Sequence, residues 1–202
     1  LTGDITVPNM VTLTIESGVE VRFTPLTDDL SSGEDVNRIE LIIEGILRVK
    51  GAQSDTVTFM SNGQVPASGD WYGIVSTGST GKVLMDYASI NHYTNGIRIK
   101  SGSSDYSDYN NDDTVSVAHT KFYGGGSAVY SSGEYSYRPV IFKNNKLYEC
   151  GVLDRSRNSY KVYENNRIVS KVSYKTLDIG YTRTSSSSTT SSTATLKINS
   201  NT

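Results

Sequence analysis

Two stretches of the chain, VIFKNNKLY at 140–148 and KVYENNRIV at 161–169, carry one pattern at a fixed offset of 21 residues. Ile141 aligns with Val162, Asn144-Asn145 with Asn165-Asn166, and Leu147 with Ile168. The end of the chain, LKINSN from Leu196, starts the pattern again. A unit this short has no core of its own and must stack on copies of itself. Its length fits one coil of three short strands, and an Asn pair at constant phase suits a ladder of side-chain hydrogen bonds along a turn. The N-terminal half alternates in the same way. VTLTIESGVEVRF (11–23) turns at Ser17-Gly18, and ELIIEGILRVKG (40–51) turns at Gly45 with Leu41, Ile43, Leu47 and Val49 on one side. Short period-2 runs bounded by Gly, Asn, Asp or Ser follow at 56–59, 69–75, 82–90, 95–102, 115–122 and 127–130.

Composition agrees. The 202 residues include 29 Ser, 21 Thr and 18 Gly but only six Ala, so helix formers are scarce and turn formers abundant. An all-helical protein and a doubly wound nucleotide-binding domain are excluded. A net charge of -2 gives no basic stripe of the kind nucleic-acid binders carry, and no apolar run is long enough for a membrane-spanning helix. The single cysteine, Cys150, rules out an internal disulfide framework and reads as a buried small hydrophobe. The chain opens at Leu1 and stops at Asn201-Thr202 in mid-pattern, which leads us to expect one β-helix domain over 1–202 that is a piece of a larger protein.

VTLTIESGVEVRF, LIIEGILRVKGAQSDTVTFMSN, GDWYGIV and VLMDYASINHYTNGIRI together resemble the repeats of right-handed parallel β-helix proteins, the pectin-lyase-like group. The resemblance covers residues 1–100 well and 101–180 through the Asn pairs. It implies an all-β, right-handed parallel β-helix (a β-solenoid) of coils about 21 residues long, with long loop insertions. That fold carries lyases, hydrolases, adhesins and tail spikes alike, so it does not fix a function. Insertions are expected near 24–38, at 101–114 and at 183–194, the last holding the Ser/Thr run of 185–193. Loops that bulge from a regular coil are where sites collect.

The acidic insertion groups Asp105, Asp108, Asn110, Asp112 and Asp113. Their oxygens suit calcium, the one cofactor the sequence offers. The helix-loop-helix calcium pattern fails, with Asp113 where Gly is needed and His119 where Glu is needed; a solvated loop explains the same residues. GIRIK (96–100) resembles a segment that contacts the substrate carboxylate in polygalacturonases, but the rest of that constellation is missing. A strand with Ile97 and Ile99 inside and Arg98 and Lys100 outside explains it without chemistry. Asp154, Arg155 and Arg157 could offer the arginine near an acid that a calcium-dependent lyase needs, or are simply a charged turn. His92 and His119 could meet on adjacent coils, but without a third ligand they make no metal site.

The aromatic content carries more. Of 14 Tyr, 11 lie beyond residue 100. Outward aromatics of a solenoid fall above one another coil by coil and offer a flat row for the apolar faces of sugar rings. Tyr135, Tyr137, Tyr106 and Tyr109 stand in polar context and are the expected carbohydrate contacts, with Trp71 and Tyr72 beside them. Trp71 also reads as a structural plug, and Tyr148 and Tyr163 as partly filling core columns and edges. The expectation is thus a non-catalytic, extracellular or cell-surface module that adheres to a polysaccharide, cellulose or another plant cell-wall glycan, without nucleic-acid partners or membrane insertion. Cellulose-adhering tāpirins are β-helix surface proteins of this sort. Two alternatives stay open: a polysaccharide lyase or glycoside hydrolase of the same fold, and a structural spacer or assembly subunit.

Overall fold

The computed structural model describes residues 1–77, 80–100, 115–131, 139–155, 161–169, 177–179 and 195–196. Within them the chain is a parallel β-helix. Strands recur in a cycle of three, and each pairs in parallel with its counterpart one coil away. Sheet 1 stacks Ile5–Val7, Glu40–Ile43, Trp71–Ser76, Tyr93–Ile99, Ser127–Ser131, Gly151–Asp154 and Leu177–Ile179. Sheet 2 stacks Thr12–Glu16, Ile46–Lys50, Lys82–Asp86, Val115–Ala118, Val140–Lys143, Lys161–Glu164 and Thr195–Leu196. Sheet 3 stacks Glu20–Phe23, Val57–Ser61, Ala88–Asn91, Lys121–Tyr123, Lys146–Tyr148 and Arg167–Val169. All assigned elements are strands, so no helix among the described residues is long and apolar enough to cross a membrane.

Register turns the period-2 alternation into columns. In sheet 1, Leu41, Ile74, Ile97, Val129, Val152 and Leu177 fall above one another. In sheet 3, Phe59, Ile90, Phe122 and Leu147 do the same, all fully buried. In sheet 2, Ile15, Val49, Met85, Val117, Phe142 and Tyr163 form the third column, and the three meet along the axis to form the core. Trp71 belongs to it. Its ring lies flat on Phe23 at 3.9 Å and 5°, and its Nε1 donates to the Asn91 carbonyl at 2.8 Å. Tyr93 pairs with Trp71 one coil on. Beyond it the Gly125 position faces the Tyr93 ring so closely that a Cβ would lie 2.0 Å from Cε2. Gly125, within the Gly124-Gly125-Gly126 run, therefore makes room for an aromatic.

The Asn pairs form the expected ladder between sheets 2 and 3. The Asn145 side chain is buried; it accepts from Thr120 N at 2.9 Å and donates to Val117 O at 3.1 Å. Asn166 repeats this one coil later, accepting from Asn145 N at 3.0 Å and donating to Phe142 O at 2.7 Å. The first Asn of each pair turns the corner with positive φ, 57° at Asn144 and 54° at Asn165. Tyr87 and His119 hold the same left-handed corner in earlier coils, at 49° and 48°. Asn tolerates that region better than most other non-glycine residues do, which suits it to the corner in these two coils.

The 21-residue spacing is realised once in full, where Ile141 pairs with Val162. Elsewhere insertions lengthen the coil. Ile5 pairs with Leu41, 36 residues on, and Val83 with Val115, 32 residues on.

Candidate functional site

Where the coils lengthen is not random. Among the described strands, the long connections either lead from sheet 3 into sheet 1, as 24–39 and 62–70 do, or leave sheet 1 for sheet 2, as 100–114 and 132–139 do. Most corners between sheets 2 and 3 are one or two residues. Sheet 1 is thus the elaborated face and sheet 3 the plain one.

The 24–38 insertion is tied onto the outward side of sheet 1 by carboxylates. Asp28 accepts backbone N–H bonds from Asp4, Leu30 and Ser32 at 2.8–3.1 Å. Asp4 accepts from Glu40 N at 2.6 Å and from Ser32 Oγ at 2.7 Å. Glu34 reaches furthest. It accepts from the Tyr72 hydroxyl at 2.5 Å and pairs with Arg98 Nε at 3.0 Å and Lys100 Nζ at 3.1 Å. Burial pushes the Glu34 carboxyl up, but those three partners outweigh it and hold it below the usual value. The Arg98 guanidinium also lies 4.9 Å from the Tyr130 ring centroid.

Glu40, 1% exposed, accepts from Glu34 N and Asp35 N at 2.7 and 2.8 Å through Oε1, while Oε2 has no hydrogen-bond partner. Burial raises its carboxyl, the two N–H bonds pull it down, and the charges of Asp4 and Glu34 push it up again, to about 7. The free carboxyl titrates near 4.5, so the folded state holds the proton more tightly. Stability therefore falls as pH rises from about 4.5 to about 7 and stays lower above. Glu40→Gln keeps the acceptor and removes the charge. Relative to the parent it should be more stable at pH 8 than at pH 5, by on the order of 1–3 kcal/mol. Urea midpoints of both proteins at the two pH values check this; an equal difference at both would refute it.

The sequence-derived candidates distribute as follows. Tyr106, Tyr109, Tyr135 and Tyr137, and the acidic group Asp105, Asp108, Asn110, Asp112 and Asp113, lie outside the described residues. Among the described residues no group of three His, Cys, Asp or Glu is placed to hold a metal ion. Trp71 is fully buried and offers no face to a sugar, which corrects its place among the carbohydrate contacts in favour of the structural role. Tyr72 is half-buried with its hydroxyl on Glu34. Ile97 and Ile99 are inside, and Arg98 and Lys100 turn outward to Glu34. Asp154 and Arg155 separate: Asp154 enters the core against Lys161, while Arg155 pairs outside with Asp178 at 2.6 Å. Arg157 lies outside the described residues. His92 and His119 do not meet. His92 holds the corner after sheet 3, and His119 the corner before it, where it stacks on Tyr87 at 4.6 Å and binds Asp86 at 2.8 Å.

Sheet 3 presents the aromatic row. Tyr123 pairs in direct register with Tyr148 on the next coil, their centroids 6.5 Å apart. Tyr123 is 50% exposed and His92 meets it edge-on at 6.4 Å. Phe122 and Leu147, alternating with them, are fully buried, so both tyrosines point outward. Tyr148 is half-buried, in keeping with its partial edge role. Tyr163 is core as expected, its hydroxyl on Asp154 at 2.9 Å. No protein-family model, curated protein or solved structure matches the chain.

Proposed function

We propose that this chain is a non-catalytic, extracellular module that adheres to a polysaccharide through tyrosines displayed coil by coil on an outward face of the β-helix. The observation that carries the reading is the Tyr123–Tyr148 pair: two aromatics in register on successive coils, anchored by buried neighbours and flanked by His92. Each Tyr offers an apolar ring face and a wet hydroxyl, the pairing that a sugar ring needs. The strands beneath are held on both sides by neighbouring coils, so little ordering cost falls on binding. Tyr106, Tyr109, Tyr135 and Tyr137, outside the described residues, remain further candidate carbohydrate contacts of the same proposal. Membership of the pectin-lyase-like group, with a tāpirin-like adhesive role at the cell surface, belongs to the same proposal and is supported by the repeat pattern.

The test is a pull-down on insoluble polysaccharides (crystalline cellulose, chitin and xylan) and on a cross-linked acidic glycan. Saturable binding to at least one is expected, and Tyr123→Ala with Tyr148→Ala should weaken it about tenfold or more with the circular dichroism spectrum unchanged. Full binding by that double variant would remove sheet 3 from the account.

A further inference from the structure

Beside the tyrosines on sheet 3 runs a second ladder. Lys121 pairs in register with Lys146, and Lys146 with Arg167. All three are exposed. They stand two residues before Tyr123, Tyr148 and Val169, so both ladders share one face with Phe122 and Leu147 buried between them. Successive coils are about 4.8 Å apart. Like charges directly opposite one another destabilise a sheet. None of the three cations has an ion-pair partner among the described residues. The only acid next to the tyrosine row in sequence, Glu149, sits half-buried at the corner beyond Tyr148.

Sheet 2 shows that this chain can do otherwise. Its outward ladder alternates in sign, with Lys50 against Glu16 at 3.4 Å and Lys143 against Glu164 at 3.1 Å. The three cations on sheet 3 are thus a local departure, on a chain whose net charge is -2. An anion repeated along the helix axis would neutralise such an array.

We propose that the outward face of sheet 3 binds an acidic polysaccharide lying along the helix axis, its anionic groups held by Lys121, Lys146 and Arg167 and its sugar rings resting on Tyr123 and Tyr148. This rests on the glycan-binding reading above and names the class of glycan. An extended sugar chain repeats at a spacing close to the coil rise, so successive anions reach Lys121, Lys146 and Arg167 while two rings meet Tyr123 and Tyr148. A single-stranded polynucleotide offers the same two chemistries at a longer spacing and is an arm of the test.

Affinity electrophoresis of the full chain in gels containing carboxymethylcellulose, hydroxyethylcellulose or poly(dT) separates the outcomes. The first two share a backbone and differ in charge. Retardation by carboxymethylcellulose is expected, at least tenfold stronger than by hydroxyethylcellulose and weakened by salt. The Lys121→Gln, Lys146→Gln, Arg167→Gln variant should lose about tenfold or more of it, and Lys50→Gln on sheet 2 should lose none. Equal retardation by both celluloses, abolished by Tyr123→Ala, would overturn the acidic preference and leave glycan binding standing. A full response by the triple variant overturns the ladder. Preference for poly(dT) overturns the glycan, and retardation by none of the three overturns the acidic-glycan proposal, while the pull-down above decides glycan binding itself.

Discussion

Trp71→Ala should cost about 3–5 kcal/mol of unfolding free energy, the range for removing a large aromatic from a packed interior. The ring is fully buried, lies flat on Phe23 at 3.9 Å, and donates from Nε1 to Asn91 O at 2.8 Å. It ties three coils, because Phe23 is in the first, Trp71 in the third, and its register partner Tyr93 in the fourth. Domains of this size hold only about 5–15 kcal/mol in total, so the variant loses a large share of its stability. Urea unfolding followed by circular dichroism measures it, since the chain has a single Trp and the variant has no indole signal. A loss below about 1 kcal/mol would mean that the indole is at the surface, where a sugar platform would need it.

Lys161→Met should be as damaging for an electrostatic reason. Lys161 and Asp154 both point into the core, with Nζ 3.2 Å from Oδ1 and also donating to the Asp154 carbonyl at 3.2 Å. Tyr163 donates its hydroxyl to Oδ2 at 2.9 Å. Burial pulls the Lys161 ammonium below its usual value even against the Asp154 charge. Removing the cation leaves the Asp154 carboxylate in the interior with that attraction gone, at a cost of about 3–5 kcal/mol. Replacing both, Lys161→Met with Asp154→Leu, removes the charge along with its partner and should restore most of the loss. A single variant as stable as the parent, or a double variant no better than the single, would show that the pair does not control this part of the core. Chemical denaturation of the three proteins decides it.

How much of this could be read without coordinates depends on the range of the interaction. The coil was legible because its pattern is local: alternation places Ile97 and Ile99 inside, and the Asn pair marks the corner where two backbone groups of the preceding coil need a partner. The Asn145 and Asn166 bonds are that expectation realised. The strap on sheet 1 was not legible. Glu34 and Arg98 are 64 residues apart and meet only because intervening coils have particular lengths. The cation ladder was hidden for the same reason. Lys146 and Arg167 keep the 21-residue offset, but Lys121 precedes Lys146 by 25, so a fixed-period reading does not align them. The outward turn of Tyr148 is legible from its neighbour: Leu147 aligns with Ile168 as the inward residue, and parity then turns Tyr148 outward. For Trp71 and Tyr72 parity says only that they face opposite ways. Which one enters the core depends on Phe23, two coils earlier.

The central claim is that a glycan lies along sheet 3, and amide chemical-shift mapping tests it most directly. Addition of a soluble carboxymethylated cello-oligosaccharide should shift the amides of 121–123, 146–148 and 167–169 in a saturable way, with those of sheet 2 unmoved. Shifts centred instead on Tyr72, Asn95 and Tyr130 would place the ligand on the elaborated face of sheet 1 and contradict the account.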